Sequence, residues 1–229
     1  MPLQTRLFEN PVEPFYPTGA EEIVTGNFIK KTKKMIIPMH YHHMLISFEK
    51  LKGYVVEGRE QRCQHGNGCN GYNRCHSCPP LAPTLERYNA EGYRNALVYC
   101  FYEELTPFSK ADRIFKRQNA YRTLSPTARN FGKTLERILG GKIAFEGHCM
   151  RCHPCNATLN PKKPCVNYQE LRCSLESLGI HVVNLCKDVL HHQIFWWGKE
   201  EPPYLTICHA LLTNSREPTK VMVEPYYKG

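Results

Sequence analysis

Residues 125–149, "SPTARNFGKTLERILGGKIAFEGHC", contain a helix pattern, a strand pattern and the first cysteine of a loop. Four apolar residues recur at helical spacing and predict an amphipathic helix. The Ser-Pro pair at 125–126 suits the start of that helix, and the Gly-Gly pair at 140–141 suits its end. The run "KIAFEG" at 142–147 then predicts a strand that leads directly to Cys149. The four apolar residues are Phe131, Leu135, Ile138 and Leu139.

Similar patterns on either side of this stretch predict the rest of the fold. "NALVYCFY" at 95–102 indicates a buried strand in which Cys100 is a small core residue. Three leucines in "VNYQELRCSLESLG", 166–179, share a helix face and predict a second helix. Further strands are predicted at 180–185, 192–198, 204–213 and 220–227. The expected fold is α/β, with a mixed sheet flanked by helices and two cysteine-rich metal-binding loops.

Composition limits the cellular setting and the partners. Residues 1–20 contain several prolines and predict an extended N-terminal arm, followed by a single cysteine-rich metal-binding domain at 21–229. No secretory signal and no apolar run long enough for a membrane span are present, so a cytoplasmic protein is expected. In a reducing compartment the 12 cysteines are better metal ligands than disulfide partners. The basic run "KKTKK" at 30–34 suits a solvated loop, and a nucleic-acid partner is not expected.

One group of cysteines has the spacing of a metal-binding loop. Cys149, Cys152 and Cys155 form C-x-x-C-x-x-C, and Cys165 follows as a fourth thiol. Three thiols at this interval with a more distant fourth are typical of 4Fe–4S proteins, because the spacing surrounds a cubane cluster. Zinc, which also takes four thiolates, stays an alternative.

A second group precedes it in the chain, within "CQHGNGCNGYNRCHSCPP". Its wide spacing is consistent with a second 4Fe–4S cluster, and its glycines allow the backbone to bend around a bulky group. Alternatively, its last C-x-x-C pair could bind zinc together with Cys149 and Cys152, which would leave Cys155 and Cys165 unexplained. The members of this group are Cys63, Cys69, Cys75 and Cys78.

Two blocks resemble a prokaryotic family of predicted metal-binding proteins of unknown function. The first has "GCNGY" followed by "CPP" and "APT", and the second has "GHCMRCHPC" followed by "PCVNYQELRCSLESLGIHV". The resemblance covers about residues 50–213 and implies a cysteine-ligated metal or iron–sulfur protein, frequent in anaerobic bacteria and archaea. The chain departs from the pattern at Val166, where the family often has arginine, and at Cys173, where it often has proline.

Several histidines have more than one interpretation. In "PMHYHHM", 38–44, a strand would put His40 and His42 on the same face, where they could chelate a transition metal. Ordinary histidines with satisfied hydrogen bonds are favoured there, and the same holds for His43. Three histidines beside the cysteines are expected to donate hydrogen bonds to sulfur rather than to replace it. They are His76, His148 and His153.

Together these features predict a cytosolic iron–sulfur protein with two 4Fe–4S clusters. It would transfer electrons to a redox partner protein, or act on a small-molecule substrate as an iron–sulfur-dependent oxidoreductase or sulfur-transfer enzyme. The alternative from another class is a zinc-stabilised module that binds protein or RNA.

Overall fold

The computed structural model describes residues 23–31, 36–58, 71–105, 113–196 and 201–215. Five strands form one sheet in the order β1-β2-β3-β5-β4. The predicted α/β class is confirmed, although the described strand pairs are all antiparallel rather than mixed. The predicted arm at 1–20 lies outside the described residues. The elements are β1 Val24–Lys31, β2 Ile36–Ser47, α1 Phe48–Lys52, α2 Leu85–Ala90, β3 Asn95–Glu104, α3 Arg113–Leu139, β4 Lys142–Ala144, α4 Asn156–Leu159, α5 Val182–Leu190 and β5 Tyr204–Thr213.

Side chains alternate between the two faces of the sheet along each strand. Other elements pack on both faces. The α3 face is packed by the long helix and is rich in aromatic residues, including Tyr41, Tyr99 and Phe101. The α5 face is packed by α1, α2, α5 and the segment 171–180. The central strands β3 and β5 are therefore buried on both sides, which explains their nearly continuous apolar sequences.

Helix α3 ends where the sequence predicts but begins twelve residues earlier. It stops at Leu139, and Gly140 and Gly141 follow with φ of +67° and +122°, a backbone region that favours glycine. The prediction of a start at 125–126 was wrong, since Pro126 lies inside the helix. Burial of Leu124 and Ala120 on the sheet, worth about 2 kcal/mol for the leucine alone, and the added backbone hydrogen bonds offset the proline's cost of about 3 kcal/mol.

The segment after the cysteine loops departs most from the sequence prediction. Within 166–179 there is only a 3₁₀ turn, Tyr168–Glu170, followed by hydrogen-bonded turns. The three leucines predicted to share a helix face are nevertheless buried in the core. The helix prediction therefore identified the buried residues correctly and the backbone conformation wrongly.

The strand predicted at 180–185 is also wrong, because α5 occupies most of it. Ile180 makes an isolated bridge with Val55, and the helix begins two residues later. The ring Nδ1 of His181 accepts the backbone N–H of Asn184 at 3.2 Å and caps the helix. Helical spacing then buries Leu185 and Val189 together against the sheet.

Of the remaining strand predictions, some are confirmed, one is wrong and one lies outside the described residues. The runs at 95–102 and 204–213 are strands β3 and β5, and Cys100 is fully buried. The strand at 142–147 is confirmed but stops at Ala144. Residues 192–196 form no strand, and 220–227 lie outside the described part of the chain. Within the described residues, no helix combines the length and apolar character needed to cross a membrane.

Candidate metal centre

The two cysteine groups pack against each other, although more than seventy residues separate Ser77 from Cys149 in sequence. The Ser77 hydroxyl accepts the backbone N–H of Cys149 at 2.8 Å. His76 donates from Nε2 to the carbonyl of Lys163 at 2.8 Å. The two segments therefore form one structural unit.

Gly71 permits the closest approach within this unit. A Cβ atom added there would lie 2.6 Å from Cys78 Sγ and 3.5 Å from His148 Cβ. Cys78 is only 6% exposed, so its sulfur is held in a buried position, whereas His148 is exposed. A glycine is needed because a methyl group would have to push the Cys78 sulfur aside.

We expect Gly71→Ala to loosen the first cysteine segment from the second. The added methyl overlaps the Cys78 sulfur, and overpacking of this kind costs about 1–3 kcal/mol. Thermal unfolding should shift downwards, and alkylation of Cys78 by iodoacetamide should become faster. Unchanged melting together with unchanged alkylation would contradict the tight contact.

The four thiols of the second group are electrostatic neighbours. Burial raises the pKa of Cys165, and the thiols of Cys152, Cys155 and Cys149 raise it further because they oppose a second negative charge. All four are partly buried, between the core and solvent. The loop thus places three thiols near Cys165, and four thiolates are the donor set that iron–sulfur clusters and zinc require.

Two polar side chains contact these sulfurs. Asn167 donates from Nδ2 to Cys152 Sγ at 3.0 Å. His76 Nδ1 lies 3.4 Å from Cys155 Sγ. Because Nε2 donates to the Lys163 carbonyl, Nδ1 is an acceptor in the neutral ring, and the expected donation from His76 to sulfur stays a prediction. His148 and His153 are exposed. Asn167 was missed by the sequence analysis, because an asparagine in a loop gives no signal of a sulfur contact.

The sulfurs are near one another but do not yet surround a common point. In the described part of the chain, no three His, Cys, Asp or Glu side chains are grouped tightly enough to hold a metal ion. Cys75 and Cys78 are buried beside the second loop, whereas Cys63 and Cys69 lie outside the described residues. The thiols are the type of donor that a thiolate-bound metal requires, but their described positions do not form a closed site.

A buried network fixes the backbone just before Cys149. Glu146 accepts hydrogen bonds from Ser125 and from Arg129, whose Nε lies 2.8 Å from Oε1. His209 on β5 pairs with its other oxygen, and Tyr99 Oη lies 3.2 Å from His209 Nδ1. Burial works to raise the pKa of Glu146, but these hydrogen bonds, that from His209 foremost, lower it to about 2. The carboxylate thus joins α3 and β5 to the start of the cysteine loop.

The histidines of β2 contact residues of the sheet rather than the cysteine loop. His40 and His42 lie on one face, as predicted, and both rings stack on Tyr102. His43 points to the α3 face and is fully buried, and burial lowers its pKa to about 3. It therefore stays neutral at physiological pH. The expectation of satisfied hydrogen bonds was wrong for His42 and His43, because Nδ1 of His42 and both ring nitrogens of His43 are buried without a hydrogen-bond partner among the described residues.

A cavity of about 590 Å³ opens beside Cys165. Its lining combines the basic residues Arg87, Lys162 and Lys163 with apolar residues that include Leu81 and Leu171. The guanidinium of Arg87 lies 4.4 Å from the Tyr168 ring centroid and forms part of the wall. A small molecule in this space would lie next to one of the four thiols.

An antiparallel sheet packed by helices, together with two adjoining cysteine segments, defines a cysteine-rich α/β protein. Residues 52–212 match the family DUF2284, predicted metal-binding protein. The chain belongs to this family, a domain of unknown function, and the resemblance predicted from the two blocks is confirmed. Comparisons with curated proteins and with solved structures gave no match.

Proposed function

We propose that the chain is a cytoplasmic iron–sulfur protein that binds a 4Fe–4S cluster through Cys149, Cys152, Cys155 and Cys165. The observation that supports this most directly is that the thiols of Cys149, Cys152 and Cys155 are all close enough to Cys165 to raise its pKa. Their spacing and their partial burial suit a cluster bound close to the protein surface. A bound cluster would supply reversible one-electron chemistry.

The residues around the sulfurs have the properties that such a site requires. The Asn167 amide donates to Cys152 Sγ, and N–H donors to sulfur stabilise the reduced state. The His76 ring contacts Cys155 Sγ. Arg151 forms an ion pair with Glu170 on the exposed side of the loop. The basic cavity beside Cys165 offers room for a small anionic substrate, and the exposed loop offers a docking surface for a redox partner protein.

The proposal includes a second 4Fe–4S cluster held by Cys63, Cys69, Cys75 and Cys78. Its support is the burial of Cys75 and Cys78 directly against the other loop. Two clusters in adjacent loops would allow electrons to pass between them over a short distance.

A zinc-stabilised binding module is the second candidate, and one observation favours it. The hydrogen bond from Cys149 N–H to Ser77 brings the C-x-x-C pair of the first loop to the start of the second. Cys75 and Cys78 could then bind one zinc with Cys149 and Cys152. This arrangement would leave Cys155 and Cys165 without a ligand role.

Metal and sulfide analysis of anaerobically purified protein distinguishes the two candidates. The iron–sulfur proposal expects equal amounts of iron and acid-labile sulfide, a brown colour that fades on reduction, and an electron paramagnetic resonance signal from the reduced form. Colourless protein that retains zinc and lacks sulfide would establish the binding module instead.

We expect Asn167→Ala to lower the reduction potential of the cluster. The variant removes the hydrogen bond to Cys152 Sγ, which stabilises the more negative reduced state. A loss of about 1.4 kcal/mol corresponds to roughly 60 mV for one electron. Redox titration measures the shift, and Asn160→Ala at an exposed loop position is the control. An unchanged or higher potential would rule out this role for Asn167.

A further inference from the structure

The cavity beside Cys165 is built by both cysteine segments. Its lining comes from residues within 81–87, which follow Cys78, and within 161–171, together with His76. The space therefore forms only when the two segments pack against each other. Its volume of about 590 Å³ lies in the range of about 300–1,000 Å³ that is typical of small-molecule sites.

The cavity has an excess of positive charge. Arg87, Lys162 and Lys163 line it, and no Asp or Glu among the described residues does so. Arg87 Nε lies 3.6 Å from Glu91 Oε1, which offsets part of the guanidinium charge. In the described part of the chain neither lysine forms an ion pair. Two ammonium groups are therefore available to an anionic ligand.

Hydrogen bonds fix the turn that carries the two lysines. Asn160 Oδ1 accepts the backbone N–H of Lys162 at 3.0 Å, and the N–H of Lys163 donates to the Asn160 carbonyl at 3.1 Å. The carbonyl of Lys163 accepts the His76 ring nitrogen Nε2 at 2.8 Å. A backbone that is fixed before a ligand arrives loses less conformational entropy on binding.

Most of the remaining lining is apolar. It includes Leu81 and Leu171, and three prolines at 83, 161 and 164. An inorganic anion would fill a small part of the volume and leave these side chains in contact with water. An apolar group packed on them would gain about 25 cal/mol per Å² removed from water. The cavity therefore favours an anion that carries an apolar body.

We propose that this cavity binds a small organic acid, with its carboxylate or phosphate group at the two lysines and its apolar body against Leu81 and Leu171. The bound acid lies beside Cys165. Its role as a substrate rests on the proposed function, in which Cys165 is a cluster ligand, whereas binding depends on the cavity alone.

The test is isothermal titration calorimetry of the full-length chain, as purified anaerobically, with naphthoate and naphthyl phosphate as probes. Each probe joins an anionic group to a compact apolar body. We expect at least one of them to bind, with one molecule per chain. Neutral naphthol and inorganic phosphate should bind at least about tenfold more weakly, because each lacks one of the two features. The acid that binds more tightly identifies the preferred anionic group.

Replacing both lysines tests the position of the anionic group. Lys162→Gln combined with Lys163→Gln should weaken binding of the better acid about tenfold, because charge-assisted hydrogen bonds are lost. Both side chains are exposed, so the fold should tolerate the change. Lys133→Gln, at an exposed position on α3, removes one charge elsewhere and should bind the acid like the wild type.

Iron and acid-labile sulfide, measured on the same samples, separate this inference from the proposed function. Acid binding by a sample without iron would support the binding site and remove the proposed function. Iron and sulfide without acid binding would do the reverse. The inference is also overturned if naphthol or inorganic phosphate binds as tightly as the acids, or if the double lysine variant binds like Lys133→Gln.

Discussion

Replacing Cys152 with serine is expected to remove the iron and sulfide of one cluster. Serine supplies a harder and less acidic oxygen in place of one of four thiolates, and the remaining three sulfurs cannot close the site in the same way. If two separate clusters are present, about half of the iron should remain. The measurement is iron and acid-labile sulfide per chain, with the paramagnetic resonance spectrum of the reduced protein.

Cys100→Ala is the matched control for this experiment. Cys100 is fully buried on β3, in the core of the α5 face and far in sequence from the loop, so its removal should leave the iron content unchanged. If Cys152→Ser removes all of the iron while the protein stays folded, the two loops share one site. Full retention of iron and sulfide in Cys152→Ser would contradict the assignment of this ligand.

Glu146→Gln is expected to destabilise the protein by about 3 kcal/mol at pH 7, because the pKa of Glu146 falls from the ordinary 4.5 to about 2 on folding. Its side chain is only 15% exposed, so solvent screens the interactions weakly. The amide keeps the shape of the carboxylate but loses the charge that Arg129 and His209 stabilise. Urea unfolding of both proteins at constant metal loading measures the difference.

The difference in unfolding free energy between the wild type and Glu146→Gln should also shrink on acidification. A carboxyl group whose pKa is lowered on folding adds stability that is complete above its unfolded pKa. The advantage of the wild type over Glu146→Gln should therefore stay constant down to about pH 5 and shrink as the pH falls from 4.5 towards 2. The buried histidine His43 also titrates on acidification, but it is present in both proteins and cancels in the comparison.

Glu49→Gln is the control for charge loss alone. Glu49 is 72% exposed and pairs with Lys52 within one helical turn, so its removal should change stability by less than about 0.5 kcal/mol. Equal effects of Glu49→Gln and Glu146→Gln at pH 7 would contradict the buried network.

The sequence and the structure agree where the determining interactions are local. The apolar runs of β3 and β5 are strands because both faces of a central strand are buried, and this produces a continuous pattern that can be read directly. The pair Gly140 and Gly141 ends α3 because the chain adopts positive φ there. The sequence prediction and the structure differ at α5 and at the start of α3, where burial against the sheet decides the backbone conformation.

The sequence by itself determined the family, the α/β class and the four closely spaced thiols of the second cysteine group, because these depend on spacing within short segments. Only the tertiary structure decided which residues from distant parts of the chain contact the cysteine loop and the segment before it. His209 lies 63 residues from Glu146, and His76 lies 79 residues from Cys155. Such contacts arise from the packing of strands and loops that are far apart in the chain, and no local pattern encodes them.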